Sequence, residues 1–210
     1  MTKPQRLRMT IDIAMTILSI ILMGGNYLFP ADIVHEILGV GLFVLWGLHI
    51  ALNRRWYGAI FRGKYNPYRV MQTVINCCIL ICTIFLMISG IILSNHIFTF
   101  LNIQGGLGFA RIAHLLASHW YYLFMSLHIG LHVGRLFQNV TAKIIPRIIL
   151  ALVCAYGIYA FIARGVWKYL ILRQQFFFFD LDRGYILFAI DYISIIILFA
   201  TLSNLLAKKM

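Results

Sequence analysis

Charge is what this chain has least of. Only 11% of its 210 residues are charged, where an average soluble domain is roughly a quarter charged. Acidic side chains are scarcer still, 6 against 18 Lys and Arg. The remainder is 62% hydrophobic, and a chain this short cannot bury so much apolar surface in one packed core. A soluble globular enzyme is excluded, as are a disordered and a fibrous chain. Cysteine is also sparse. Cys77, Cys78, Cys82 and Cys154 all fall inside apolar runs, and no CxxCH segment exists for covalent haem attachment. They read as small buried hydrophobes and do not report a redox compartment. No repeat or low-complexity segment is present.

What is there is a set of apolar runs of membrane-spanning length. One span takes about 20 residues, so the chain has room for five or six with short loops and little for a soluble catalytic domain. The expected architecture is an all-α integral membrane bundle, one domain over 1–210, with spans at about 11–29, 33–52, 74–93, 112–137, 148–163 and 185–206. The first run ends in Gly24-Gly25-Asn26-Tyr27 and Phe29-Pro30 rather than a small-x-small cleavage site. It reads as a retained span and not a signal peptide. Asp32 and Glu36 suit the N-terminus of the second span. Between the last two spans, Trp167, Tyr169 and the run 176–179 alternate with Arg and Lys, the pattern of an interfacial aromatic belt.

The net charge of +12 would suggest nucleic acid in a soluble protein. Its distribution gives a different reading. With both termini inside, 13 of the 18 basic residues lie on inner segments. The five outer ones are Arg111, Arg164, Lys168, Arg173 and Arg183. That asymmetry is the topology signal of a multi-pass membrane protein, N-in and C-in. No nucleic-acid partner is needed to account for it, and membrane lipid is the expected surround.

Hydrophobicity does not explain the histidines. There are seven, and six fall on two predicted spans: His35 and His49 on the second, His114, His119, His128 and His132 on the fourth. Ionisable residues inside spans are costly and point to function. His35 and His49 are 14 residues apart, and so are His114 and His128. Fourteen residues return a helix to within about 40° of its starting face and raise it about 21 Å. The two spans run the same way through the bilayer in this topology. His35 then shares a level with His114 near the outer surface, and His49 with His128 near the inner one. Two stacked imidazole pairs are the ligand set of two bis-His haems, b-type in the absence of covalent attachment. These four are the expected iron ligands.

His132 lies one turn beyond His128 on the same face and is the weaker candidate for the inner position or for a propionate or quinone contact there. His119 is about 140° round the helix from His114 and has the character of a structural residue, and His96 sits at a loop edge. Gly39, Gly41, Gly47, Gly130 and Gly134 flank the ligand positions. They either admit a macrocycle or allow close helix packing. Arg54, Arg55 and Arg111 are available to propionates or only set topology. Asp191 is the deepest acid, with a proton-relay role, Arg183 or a neighbouring hydroxyl as alternatives.

Several segments carry a resemblance. They are His35-Glu36-Ile37-Leu38-Gly39, His49 with Leu52-Asn53-Arg54-Arg55-Trp56, Ser89-Gly90-Ile91-Ile92-Leu93-Ser94, and His114 through Ser126-Leu127-His128-Ile129-Gly130-Leu131-His132. Ala155-Tyr156-Gly157-Ile158-Tyr159-Ala160-Phe161 and the Phe-rich run ending in Asp180 belong with them. Over most of its length the chain resembles the flavinylation-associated cytochrome family of bacterial membrane proteins. Its paired histidines are also similar to those of cytochrome b in the quinol-oxidising respiratory complex. The resemblance implies a multi-helix b-type cytochrome in the bacterial cytoplasmic membrane, working with an extracytoplasmic protein that carries covalently bound FMN. It carries the ligand role onto His35, His49, His114 and His128. The expected function is electron transfer across the bilayer, with a quinol or a membrane dehydrogenase as possible donor. The rivals are a haem-bearing anchor subunit of a dehydrogenase and a haem-free membrane transporter. The segment from Trp167 to Arg183 is the expected docking platform or membrane anchor.

Overall fold

A computed structural model describes residues 3–29, 31–180 and 184–210. Every regular element among them is helical. In chain order they are α1 (Lys3–Leu22), α2 (Asp32–Leu52), α3 (Arg54–Ala59), α4 (Pro67–Leu93), α5 (Leu107–His132), α6 (Gly134–Ala142), α7 (Ile144–Ala163), α8 (Val166–Leu170) and α9 (Gly184–Ala207), with short 3-10 turns at Gly25–Leu28 and Thr99–Leu101. In a bilayer only a helix satisfies every backbone N–H and C=O within one isolated segment, and the composition leads to that solution. Among the described residues, α2, α4, α7 and α9 are long and apolar enough to cross a membrane.

The expected spans and the observed helices differ at their ends for local reasons. The first was expected over 11–29, but α1 stops at Leu22. Gly25 then takes a φ of +58°, a left-handed conformation that a residue with a Cβ resists. Facing carbonyls are closed off as Met23 N–H donates to Ser19 O and Gly24 N–H to Ile21 O. The fourth was expected over 112–137, but α5 begins earlier and ends at His132. Val133 leaves the helical region with ψ +23°, and α6 starts afresh at Gly134. The basic stretch expected as a loop after α2 contains the short helix α3.

The chain divides into two compact units: Met1–Lys64 with Met87–Arg111, and Tyr65–Leu86 with Ile112–Met210. In the first, α1 packs along α2, and Arg8 Nη2 donates to Leu52 O at 2.9 Å. Glu36 reaches past its own helix. Its carboxylate accepts from Ser94 Oγ at 2.6 Å and from the backbone N–H groups of Asn95, His96 and Ile97 at 2.8, 3.3 and 3.0 Å. It therefore ties the loop after α4 to α2, a stronger role than the helix-dipole partner expected of it.

In the second unit α7 and α9 form the most extensive helix pair. Small residues allow it. A Cβ on Gly157 would stand 2.6 Å from Ser194 O, so only glycine permits this approach. The α5–α9 contact has the same logic. A Cβ on Gly130 would meet Ala200 O and Ser203 Oγ, while Asn204 Nδ2 donates to Gly130 O at 3.2 Å and Ser203 Oγ to Leu127 O at 2.8 Å. Such bonds replace the water that backbone carbonyls would otherwise have. The outward faces of α7 and α9 stay apolar, with Leu152 and Ile186 64% and 79% exposed, as a lipid-facing surface requires.

Candidate functional site

The helices carry each expected histidine pair on one unbroken element. His35 and His49 are both on α2 and belong to the first unit; His114 and His128 are both on α5 and in the second. The 14-residue spacing is therefore helical throughout, and within each helix the members of a pair lie about 21 Å apart along the axis.

Their ring partners are the informative detail. His49 Nδ1 is 2.7 Å from Asp12 Oδ1 on α1. An ionised carboxylate only accepts, so Nδ1 is the donor in this bond. Asn53 Nδ2 stands 3.5 Å from the His49 Nε2, at the outer limit of a hydrogen bond, while donating a better bond of 2.9 Å to His49 O. His128 Nδ1 is 2.7 Å from Asn76 Oδ1 on α4. The amide oxygen is an acceptor, so His128 also holds its proton on Nδ1. His35 differs: the Gly25 carbonyl lies against its ring, but its Nδ1 is not the nitrogen bonded to it, and the Phe29 ring is 6.4 Å away. Nδ1–H donating to a carboxylate or carbonyl is the arrangement that orients an imidazole whose Nε2 binds a metal.

The other histidines are placed differently. His132 ends α5 with its ring 4.5 Å from that of His128. His119 is 1% exposed. Its Nδ1 lies 2.8 Å from Leu115 O on its own helix, and its ring stacks on Tyr169 at 4.2 Å. His96 lies in the loop bound by Glu36. Among the described residues no group of three or more His, Cys, Asp or Glu side chains converges as a metal site. Bis-imidazole ligation takes two side chains per iron, not three.

The flanking glycines separate into two kinds. Gly130 is filled by packing, as above, and Gly134 has Asn204 Nδ2 3.4 Å from a built Cβ. At Gly39, Gly41 and Gly47 a Cβ would meet no atom within 4 Å. Packing thus accounts for Gly130 and Gly134 and not for the three glycines of α2. Near the C-terminal end of α2, Arg8, Arg54 and Arg55 line a cavity of about 280 Å³ together with Ala51 and Leu52. It is a cationic recess close in sequence to His49 and suits an anionic group.

Asp191 has definite partners among the described residues; Arg183, one of the alternatives expected for it, lies outside them. Arg164 Nε is 2.7 Å from Asp191 Oδ2, the two side chains being 6% and 0% exposed. Tyr156 donates its hydroxyl to Asp191 Oδ1 at 2.5 Å. Nearby, Tyr122 donates to Tyr192 O at 2.5 Å. Sequence reasoning missed Asp12, Asn76 and Arg164. Asp12 and Asn76 join their partners from other helices and Arg164 from the turn after α7, and a single helix's pattern holds no signal for that.

Compared with protein-family models, with curated proteins and with solved structures, the chain matches none.

Proposed function

We propose that this chain is a multi-pass membrane b-type cytochrome. On this reading two haems are each held by one histidine of α2 and one of α5. His35 with His114 forms the outer pair and His49 with His128 the inner pair. The observation that carries the reading is the pair of short contacts at Nδ1: Asp12 and Asn76 each stand 2.7 Å from Nδ1 of one histidine, the arrangement that orients an imidazole for coordination through Nε2. His128 is preferred to His132 because its 14-residue gap from His114 matches that between His35 and His49. The open flank of α2 at Gly39, Gly41 and Gly47 adds support, since a macrocycle close to a helix needs absent side chains.

Haem b, when bound, supplies the one-electron chemistry. The residues of the chain orient the imidazoles, exclude water and provide a low-dielectric sleeve. Arg8, Arg54 and Arg55 offer guanidinium groups to the inner propionates. The six-span, N-in and C-in topology belongs to the proposal, with α1 and α5 added to the four apolar helices, and so does the bacterial cytoplasmic membrane. An extracytoplasmic flavin-carrying protein is the proposed outer partner, and a quinol or membrane dehydrogenase the proposed donor.

The test is selective ligand removal with haem counted by its reduced-minus-oxidised absorption. His35→Ala or His114→Ala should remove one haem, and His49→Ala or His128→Ala the other. Loss of the inner haem in His132→Ala with its retention in His128→Ala would overturn the ligand assignment.

A further inference from the structure

The bond that holds α1 to the end of α2 also gathers charge. Arg8 Nη2 donates to Leu52 O at 2.9 Å, and the Arg8 side chain then shares one recess of about 280 Å³ with Arg54 and Arg55 of α3. All three belong to the first unit. Three like charges in one recess repel, and no acid answers them. The ion pairs among the described residues are His49 with Asp12 and Arg164 with Asp191. Each guanidinium carries five N–H donors, and the bond to Leu52 is the one hydrogen bond these three side chains make among the described residues. An anion completes such a recess, because it relieves the repulsion and accepts from guanidinium edges two bonds at a time.

Size and surroundings narrow the anion. An apolar cavity of roughly 150 Å³ takes a benzene ring, so this recess has room for a phosphate diester together with the glycerol that carries it. One propionate takes one guanidinium edge and leaves donors over. The neighbouring chain has an interfacial pattern. Residues 54–65 read Arg-Arg-Trp-Tyr-Gly-Ala-Ile-Phe-Arg-Gly-Lys-Tyr, basic groups interleaved with aromatic ones, as at a membrane–water boundary. Phe61 is 96% exposed, and acyl chains are the surround that suits it. Helix α2 is long and apolar enough to cross a membrane and ends at the recess, which sets the guanidiniums at headgroup depth. In the proposed topology this end is cytoplasmic, the side on which basic pockets meet anionic lipids. A zwitterionic headgroup would bring its own cation against three others.

We propose that the recess of Arg8, Arg54 and Arg55 binds the phosphate diester headgroup of an anionic phospholipid, of the phosphatidylglycerol type. The headgroup links α1 to α3 across the end of α2. The site rests on the membrane reading and not on the haem, so a chain without haem still binds the lipid.

The experiment counts lipid on the purified full-length protein by native mass spectrometry from detergent micelles, with phosphatidylglycerol and phosphatidylcholine of the same acyl chains at equal concentration. One phosphatidylglycerol should bind the parent protein about tenfold more tightly than phosphatidylcholine. Arg54→Gln combined with Arg55→Gln should abolish that preference. Arg62→Gln combined with Lys64→Gln removes the same charge from the same stretch between α2 and α4 but outside the recess, and should keep the preference within about twofold. His49→Ala should keep it as well. Circular dichroism checks that each variant is folded. Four results would each overturn the proposal: no preference in the parent protein, equal loss in the two double variants, loss in His49→Ala, or displacement of the lipid by an equal concentration of inorganic phosphate.

Discussion

Helices α2 and α9 are almost equally apolar and are used in opposite ways. On α9, Asp191, Tyr192, Ser194, Ser203 and Asn204 are buried, and among them Asp191, Ser194, Ser203 and Asn204 carry side-chain bonds inside the unit. Packing on α5 and α7 explains its unusual residues. On α2 no residue is fully buried. Its glycines meet nothing, and its histidines take their partners from α1 and from the turn before it. A polar or small residue that packing explains needs no ligand. One that packing leaves over is a pointer to function.

Breaking the α9 side should produce the largest effects. Asp191→Ala leaves Arg164 buried without its carboxylate, at a cost of about 3–5 kcal/mol, and thermal unfolding in detergent should show it as a large loss of stability. Adding Arg164→Leu to it should recover part of that loss, because the orphaned charge is then gone. Gly130→Ala forces a methyl group against Ala200 O and should cost about 1–3 kcal/mol by the same measurement.

The histidine-bearing side, α2 together with the His128 face of α5, predicts the reverse pattern, with little change in stability and a change in cofactor. Asn76→Ala frees the His128 ring, and haem affinity at the inner site should fall by about 10–100-fold, read by titrating haem into the apoprotein. Gly47→Leu should leave unfolding within about 1 kcal/mol of the parent, since leucine also favours helix over glycine, yet lower the haem content. If Gly47→Leu destabilises the protein as Gly130→Ala does, the contrast between the two helices fails.

The sequence is informative where a property belongs to one segment. Apolar length marked α2, α4, α7 and α9, and the 14-residue histidine spacing falls within unbroken helices. It is less informative where charge mixes with apolarity. The observed α1 includes Arg6, Arg8 and Asp12, and α5 carries four histidines, so neither ranks with the four helices apolar enough to span by composition. The ends of α1 and α5 were missed because a left-handed glycine and the turn at Val133 stop them inside apolar runs. The partners were not legible. Asp12 with His49, Asn76 with His128 and Arg164 with Asp191 are separated by 37, 52 and 27 residues, and helix periodicity says nothing about which helix will lie alongside. The resemblance could suggest candidate ligands but not the residues that contact them.

The central claim is that the histidines of α2 and α5 hold haem. Its most direct test is the reduced-minus-oxidised absorption spectrum of the purified full-length protein after expression with sufficient haem. The account predicts a b-type band with about two haems per chain from the two ligand pairs. A folded protein with no such band would contradict it.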